Sequence, residues 1–314
     1  MIIAAVPSRS TTRSARWLPA LLAFGAVGCA AAPPAPAPDP SRTVRVKLSA
    51  GDLSSAIAAV EDYGATVGRD ARYLDAVGWL ARGAWMLGRP ELAERYVGEL
   101  FQEIPTEREG SIVPFGAAIE VESKILAAQK GEFAALEYLG QEASAARDTA
   151  LRSRIWKNFN LLSLVGHAAP QIGNAEFVHA QAPMWDALKG SVVLLYFWDA
   201  GCGDCRAQSR VLGAVYEKYA SRGLVLIAPT RNYGGAAQPP VPPADEKQQI
   251  ERTWAEQFPG MGGVPVPIDT ETMVRYGASA TPTFVLVDRK GIVQMYSPTR
   301  IPQAELERQI ERLL

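Results

Sequence analysis

Two periodicities divide the chain. From about Val44 to Leu164 apolar residues recur every three to four positions, and no stretch alternates as a half-buried strand does, so 44–164 reads as an all-α domain. Beyond about Gly166 the pattern changes. Apolar runs at Ser191–Trp198 ("SVVLLYFW"), Leu224–Ala228 ("LVLIA"), Thr283–Asp288 ("TFVLVD") and Ile292–Ser297 ("IVQMYS") predict buried strands. Helices are predicted from about Cys202 to Ala220, within Glu246 to Phe258, and from Gln303 to Leu314. The first two strands, linked through a helix, should be parallel with a right-handed crossover. "RKG" between the last two predicts an antiparallel hairpin with Gly291 in its turn. Residues 165–314 are therefore expected to form an α/β domain with a buried sheet, in the order βαβ then ββα.

Within the helical segment, Leu80, Ala84, Gly88, Ala93, Val97 and Pro105 stand near the places where a tetratricopeptide helix pair uses bulky, small and breaking residues. "AAQKGEFAALEYLGQEA" resembles a second such turn and helix, but Gly88 and Gly131 are 43 rather than 34 residues apart. Both a tetratricopeptide-like stack and an irregular helical bundle fit this pattern. Trp79 and Trp85 are expected in the core.

The first residues have another character. Arg9, Arg13 and Arg16 precede the short apolar run Trp17–Val27, which is too short to span a bilayer, and residues 1–28 read as an export signal. "AVGC" resembles the lipobox of bacterial lipoproteins, which implies cleavage before Cys29 and acylation of its thiol. A mature protein on the periplasmic side, anchored to a membrane by lipid, is the expectation. Residues 29–43, rich in Ala and Pro, favour extended polyproline II, a tether of up to ~40 Å at ~3.1 Å per residue.

Composition excludes one class of partner. Hydrophobic residues make up 48% and charged residues 21%, as in ordinary globular proteins, and the net charge of -1 with no basic block leaves no electrostatic footprint for nucleic acid.

Two of the three cysteines stand together in "YFWDAGCGDCRAQ", between a strand and a helix. Zinc needs four ligands, whereas the chain adds only His167 and His179 to Cys202 and Cys205, so no metal is expected. A purely structural disulfide closing so short a loop would remove little unfolded-chain entropy. Redox chemistry suits the placement: a strand delivers Cys202 to the helix N-terminus, where the macrodipole and free N–H groups favour the attacking thiolate, and Cys205 follows one turn later. Cys202 would open a substrate disulfide and Cys205 would resolve the mixed disulfide. The disulfide itself is then the redox group, with no bound cofactor.

Residues 166–314 resemble the TlpA/ResA-type thiol-disulfide oxidoreductases of the thioredoxin superfamily through "GHAAPQI", "LKGSVVLLYFWDAGCGDCR", "YGASATPTFVLVDRKGIV" and the closing helix. The resemblance implies a thioredoxin-like fold, protein thiols and disulfides as substrates, and a dithiol protein as electron donor. It implies a cis peptide at Thr281-Pro282 whose backbone contacts substrate. Three positions depart from the family. Gly201 replaces the aromatic residue before the first cysteine, Tyr196 the buried acid of thioredoxins, and Gln208 a glutamate three residues after the second cysteine. Proton transfer to Cys205 would then fall to water, Asp199 or Asp204.

Asp204 also bears on redox tuning. A carboxylate about 6 Å from the thiolate costs up to ~2.8 kcal/mol at an effective dielectric near 20, against ~0.3–2 kcal/mol from the helix terminus. If Asp204 prevails, the potential moves tens of millivolts toward reductant. The leading expectation is an extracytoplasmic thiol-disulfide oxidoreductase biased toward reduction. The alternative is a non-catalytic, partner-binding lipoprotein whose helical domain carries the function. A peroxiredoxin-like peroxidase shares the opening motif, but its Pro-x-x-x-Thr/Ser-x-x-Cys arrangement is absent.

Overall fold

The computed structural model describes residues 39–173, 176–178, 180–181, 184–233 and 242–314, with the side chains of 243 and 244 excepted. The export signal, Cys29, the tether up to residue 38, His179 and residues 234–241, a stretch rich in Gly, Ala and Pro after the second predicted strand, lie outside the described residues. Asp39 to Leu314 form one compact unit.

Its first part is helical: α1 (Pro40–Ser49), α2 (Leu53–Thr66), α3 (Ala71–Met86), α4 (Pro90–Glu103), α5 (Ile112–Lys130), α6 (Glu132–Ala145) and α7 (Thr149–Ser163). α1 begins inside the stretch expected as tether. Asp39 accepts from the Ser41 N–H and Pro40 sits in the first turn, a strong start signal that outweighs the proline-rich context. Gly88 and Gly131, both at positive φ, end the first helices of the α3/α4 and α5/α6 pairs. α3 packs against α1, α2, α4 and α5, and α5 against α3, α4, α6 and α7, so helical hairpins stack side by side. The 43-residue spacing keeps them from being a regular repeat. Trp79 departs from the core expectation: half-buried, its ring carries the guanidinium groups of Arg45 (4.9 Å) and Arg82 (5.3 Å). Trp85 is also only half-buried.

The second part holds β1 (Glu176–Val178), β2 (Val192–Phe197), α8 (Gly203–Tyr219), β3 (Leu224–Ile227), α9 (Pro243–Gln257), β4 (Val266–Ile268), α10 (Thr270–Arg275), β5 (Thr283–Val287), β6 (Val293–Ser297) and α11 (Gln303–Glu311). The main sheet runs β3-β2-β5-β6, with β2 parallel to β3 and antiparallel to β5. Every residue of β2 is buried, as a central strand covered on both faces requires. Val192, Leu194 and Tyr196 face a core built with α8, α9 and α11, while Val193, Leu195 and Phe197 face Met273, Tyr276 and Leu164. The β5/β6 turn is closed by the Asp288 carboxylate, which accepts from Lys290 N (2.8 Å) and Ile292 N (3.0 Å), with Gly291 at φ +82°. β1 and β4 form a separate antiparallel pair that the pattern did not predict. Strands of three residues are too short to alternate visibly, and Pro267 argues against a central strand.

Candidate active site

Cys202 is the N-cap of α8. Its Sγ lies 3.0 Å from the Cys205 N–H, and its own N–H donates to Asp199 O at 3.1 Å, so the turn that ends β2 and the cap that starts α8 share one residue. Cys202 and Cys205 are joined as a disulfide, with Cα atoms 5.2 Å apart. Cys202 is partly exposed and Cys205 is 1% exposed. The outer sulfur is thus the one open to attack, and the inner one is held against the core.

Across the helix cap stands the segment before β5. The Thr281-Pro282 peptide is cis, and the Thr281 carbonyl oxygen is 3.3 Å from Cys202 Sγ. Thr283 Oγ1 donates to Ala280 O at 2.7 Å, fixing the residues on either side. Cys202, Cys205, Thr281 and Pro282 are therefore brought together.

The departures from the family pattern now have local reasons. Tyr196 is fully buried and donates its hydroxyl to Cys205 O at 3.1 Å. It packs with Phe284 (5.1 Å) and Phe258 (5.9 Å) in an aromatic cluster that includes Trp198 and Trp254. Burial pushes its phenol up, so it stays neutral and accepts no proton. Gly201 is exposed and donates its N–H to Asp199 Oδ1 at 2.5 Å; a Cβ there would stand 3.2 Å from that oxygen. The missing aromatic side chain leaves room for a tight aspartate turn.

Gln208 does not serve the sulfurs. It is 3% exposed, donates Nε2 to Ile301 O at 2.7 Å and accepts from Ile301 N at 3.3 Å, so it ties α8 to the β6/α11 connection. Asp204 is exposed and faces Arg300, 3.6 Å away. That cation offsets part of the repulsion Asp204 exerts on a thiolate, and solvent screens the rest. Asp199 lies beside Tyr233, whose phenol is pushed up first by burial and then by the Asp199 charge, and whose ring carries the Arg231 guanidinium at 4.7 Å. Arg300, Ile301 and Tyr233 were not singled out from the sequence. The hairpin held the signal for the first two: β6 runs parallel to β2, so the chain leaving β6 returns to the cysteine end of the sheet.

Among the described residues, no group of three or more His, Cys, Asp or Glu side chains is arranged to hold a metal ion. The comparisons with known proteins agree with the geometry: a family model described as a thioredoxin-like domain matches residues 187–314. The chain belongs to the thioredoxin-like family. Glutathione peroxidase homolog BsaA of Staphylococcus aureus is 30% identical over 143 residues, covering 41% of this chain and 88% of that protein. Thiol-disulfide oxidoreductase ResA of Bacillus cereus is 25% identical over 129 residues, covering 41% of this chain and 66% of that protein. A solved thiol:disulfide interchange protein of the thioredoxin family from Chlorobium tepidum is 18% identical, with a TM-score of 0.38, and aligns with 47% of this chain and 96% of its own. With its Cys-x-x-Cys disulfide, the thioredoxin-like domain is that of a thiol-disulfide oxidoreductase, an enzyme class whose substrates are protein thiols and disulfides.

Proposed function

We propose that this chain is an extracytoplasmic thiol-disulfide oxidoreductase, lipid-anchored through Cys29, in which Cys202 is the nucleophile and Cys205 the resolving thiol. The observation that carries the assignment is the asymmetry of the pair: an open sulfur at the cap of α8, a buried one a turn below, and a backbone carbonyl 3.3 Å from the open one. In the reductive direction the Cys202 thiolate attacks one sulfur of a substrate disulfide, and the other leaves as a thiolate that takes a proton from solvent. Cys205, deprotonated by water or Asp199, then attacks Cys202 Sγ and releases the second substrate thiol. The two electrons left in the substrate are returned by a dithiol donor protein, and no bound cofactor takes part. Thr281 offers its backbone to the substrate strand beside the sulfur.

The reductive bias rests on Asp204, reduced in weight by Arg300. The exported, anchored location rests on the basic and apolar start of the chain and on the residues before Cys29. Among the described residues no helix is long and apolar enough to cross a membrane. The test is a trap: Cys205→Ser should accumulate mixed disulfides with exported proteins, released by thiol. Cys202→Ser should accumulate none, and equal trapping by both variants would refute the assigned roles.

A further inference from the structure

The residues that precede Thr281 are held from two sides, by α7 of the helical part and by β6 of the thioredoxin-like domain. α7, the last helix of the helical part, packs against α10. Asn160, 4% exposed, donates Nδ2 to Arg275 O at 2.9 Å. Tyr296 donates its hydroxyl to Tyr276 O at 3.0 Å, with Gly277 O at 3.4 Å. Gly277 sits at φ +62°, and a Cβ there would fall 2.3 Å from Lys157 N and 2.4 Å from Lys157 Cα. The backbone of α7 thus rests directly on the backbone of this turn, a contact only glycine permits. Three successive carbonyls, those of 275, 276 and 277, are gripped by these two side chains. Four residues further on is Thr281, whose carbonyl meets Cys202 Sγ. Four residues span at most ~14 Å, and the segment is pinned again by the Ser279 N–H on Gly277 O (2.7 Å) and by Thr283 on Ala280 O.

We propose that Asn160 is a positioning residue of the active site, and that α7, acting through the 275–281 turn, holds the Thr281 backbone in register for an extended peptide that carries the substrate disulfide. The inference rests on the reading of Thr281 as a substrate contact. It makes the helical part a determinant of specificity: a peptide that pairs with the backbone beside Cys202 feels the register, whereas a small disulfide without a backbone meets only the sulfur.

The experiment compares the reduced full-length protein with Asn160→Leu, which keeps the branched heavy-atom skeleton and loses the donor, and with Tyr296→Phe, which loses one hydroxyl. Two oxidants are used: a heptapeptide whose central cysteine is capped as a 2-thiopyridyl disulfide, and Ellman's reagent. The ratio of their second-order rate constants should fall about tenfold in Asn160→Leu, the kinetic equivalent of one lost hydrogen bond, and severalfold in Tyr296→Phe. If Asn160→Leu does not fold, Asn160→Ser, whose shorter side chain cannot reach Arg275 O, decides in its place, whereas Tyr296→Phe, on β6, reports on the turn and not on α7. A ratio within twofold of wild type in the folded Asn160 variant overturns the proposal. Amide exchange at Ala280 and Thr281 in the Cys205→Ser mixed disulfide with the peptide separates the two readings. Absent protection there fells the Thr281 contact and this inference with it. Protection that is the same with and without Asn160→Leu fells the positioning role alone.

Discussion

Gln208→Glu would introduce the glutamate that the resemblance to TlpA/ResA-type proteins implies here, and the structure predicts that it destabilises this protein in a pH-dependent way. The side chain is 3% exposed and its Nε2 sits 2.7 Å from Ile301 O. A protonated glutamic acid still donates to that carbonyl; a carboxylate faces it with lone pairs while buried, and the Ile301 N–H, 3.3 Å from the Gln208 Oε1, is the one contact that favours the charged form. Desolvation and this repulsion both favour the neutral acid, so its folded pKa rises above the unfolded value of about 4.3. A group raised on folding leaves stability intact below the unfolded pKa and withdraws it as pH climbs to the folded one. Every tenfold loss of acidity on folding costs ~1.4 kcal/mol, so a thousandfold loss removes about 4 kcal/mol by pH 8. Urea unfolding of wild type, Gln208→Glu and Gln208→Leu from pH 4 to pH 8 reads this directly. Gln208→Leu loses both contacts with Ile301 and should fall by about 1–3 kcal/mol at every pH. A Gln208→Glu protein as stable as wild type at pH 8 would refute the reasoning.

Two further outcomes follow from charges elsewhere. Burial works to raise the Glu120 carboxyl, but Arg82 (3.0 Å), Lys157 (3.5 Å) and Lys124 (2.9 Å) override it and hold it at about 2. Lys157 is itself pushed down by burial in spite of Glu120, so its desolvation offsets part of the gain. Glu120→Gln should cost about 3 kcal/mol at pH 7, and because a depressed carboxyl loses its contribution as pH falls, the deficit should narrow by ~2 kcal/mol at pH 3 in urea titrations. At the active site, Asp204→Asn should raise the potential of the cysteine pair by up to ~20 mV and Arg300→Ala should lower it by a similar amount in thiol-buffer equilibria. Shifts of the same sign would rule out the pairing as the tuning device.

What could be read in advance followed the strength of the periodic signals. β2, β3 and β5 were legible because four or more apolar residues in a row have few alternatives, β6 because "RKG" marks a hairpin turn after β5, and the parallel pair followed from its helical connection. Cys202 and Cys205 were legible because a strand end and a helix cap are local features. α10 escapes the pattern because six residues make fewer than two turns of period. Gln208 reads as a tuning residue because its distance from Cys205 in sequence is visible, whereas its partner, Ile301, is 93 residues away. The contact of Gly277 with Lys157 belongs to the packing of two parts of the chain, and no local pattern announces it.

The catalytic reading requires the Cys202/Cys205 disulfide to exchange in the folded protein. The measurement is its equilibrium against defined thiol buffers, read by alkylation and mass spectrometry with near-UV circular dichroism confirming the fold. Full, reversible exchange is expected, with a potential below about -230 mV, that of a reductase. A value of about -120 to -180 mV would reverse the assigned direction. A pair that fails to exchange until the protein unfolds would contradict the catalytic reading itself.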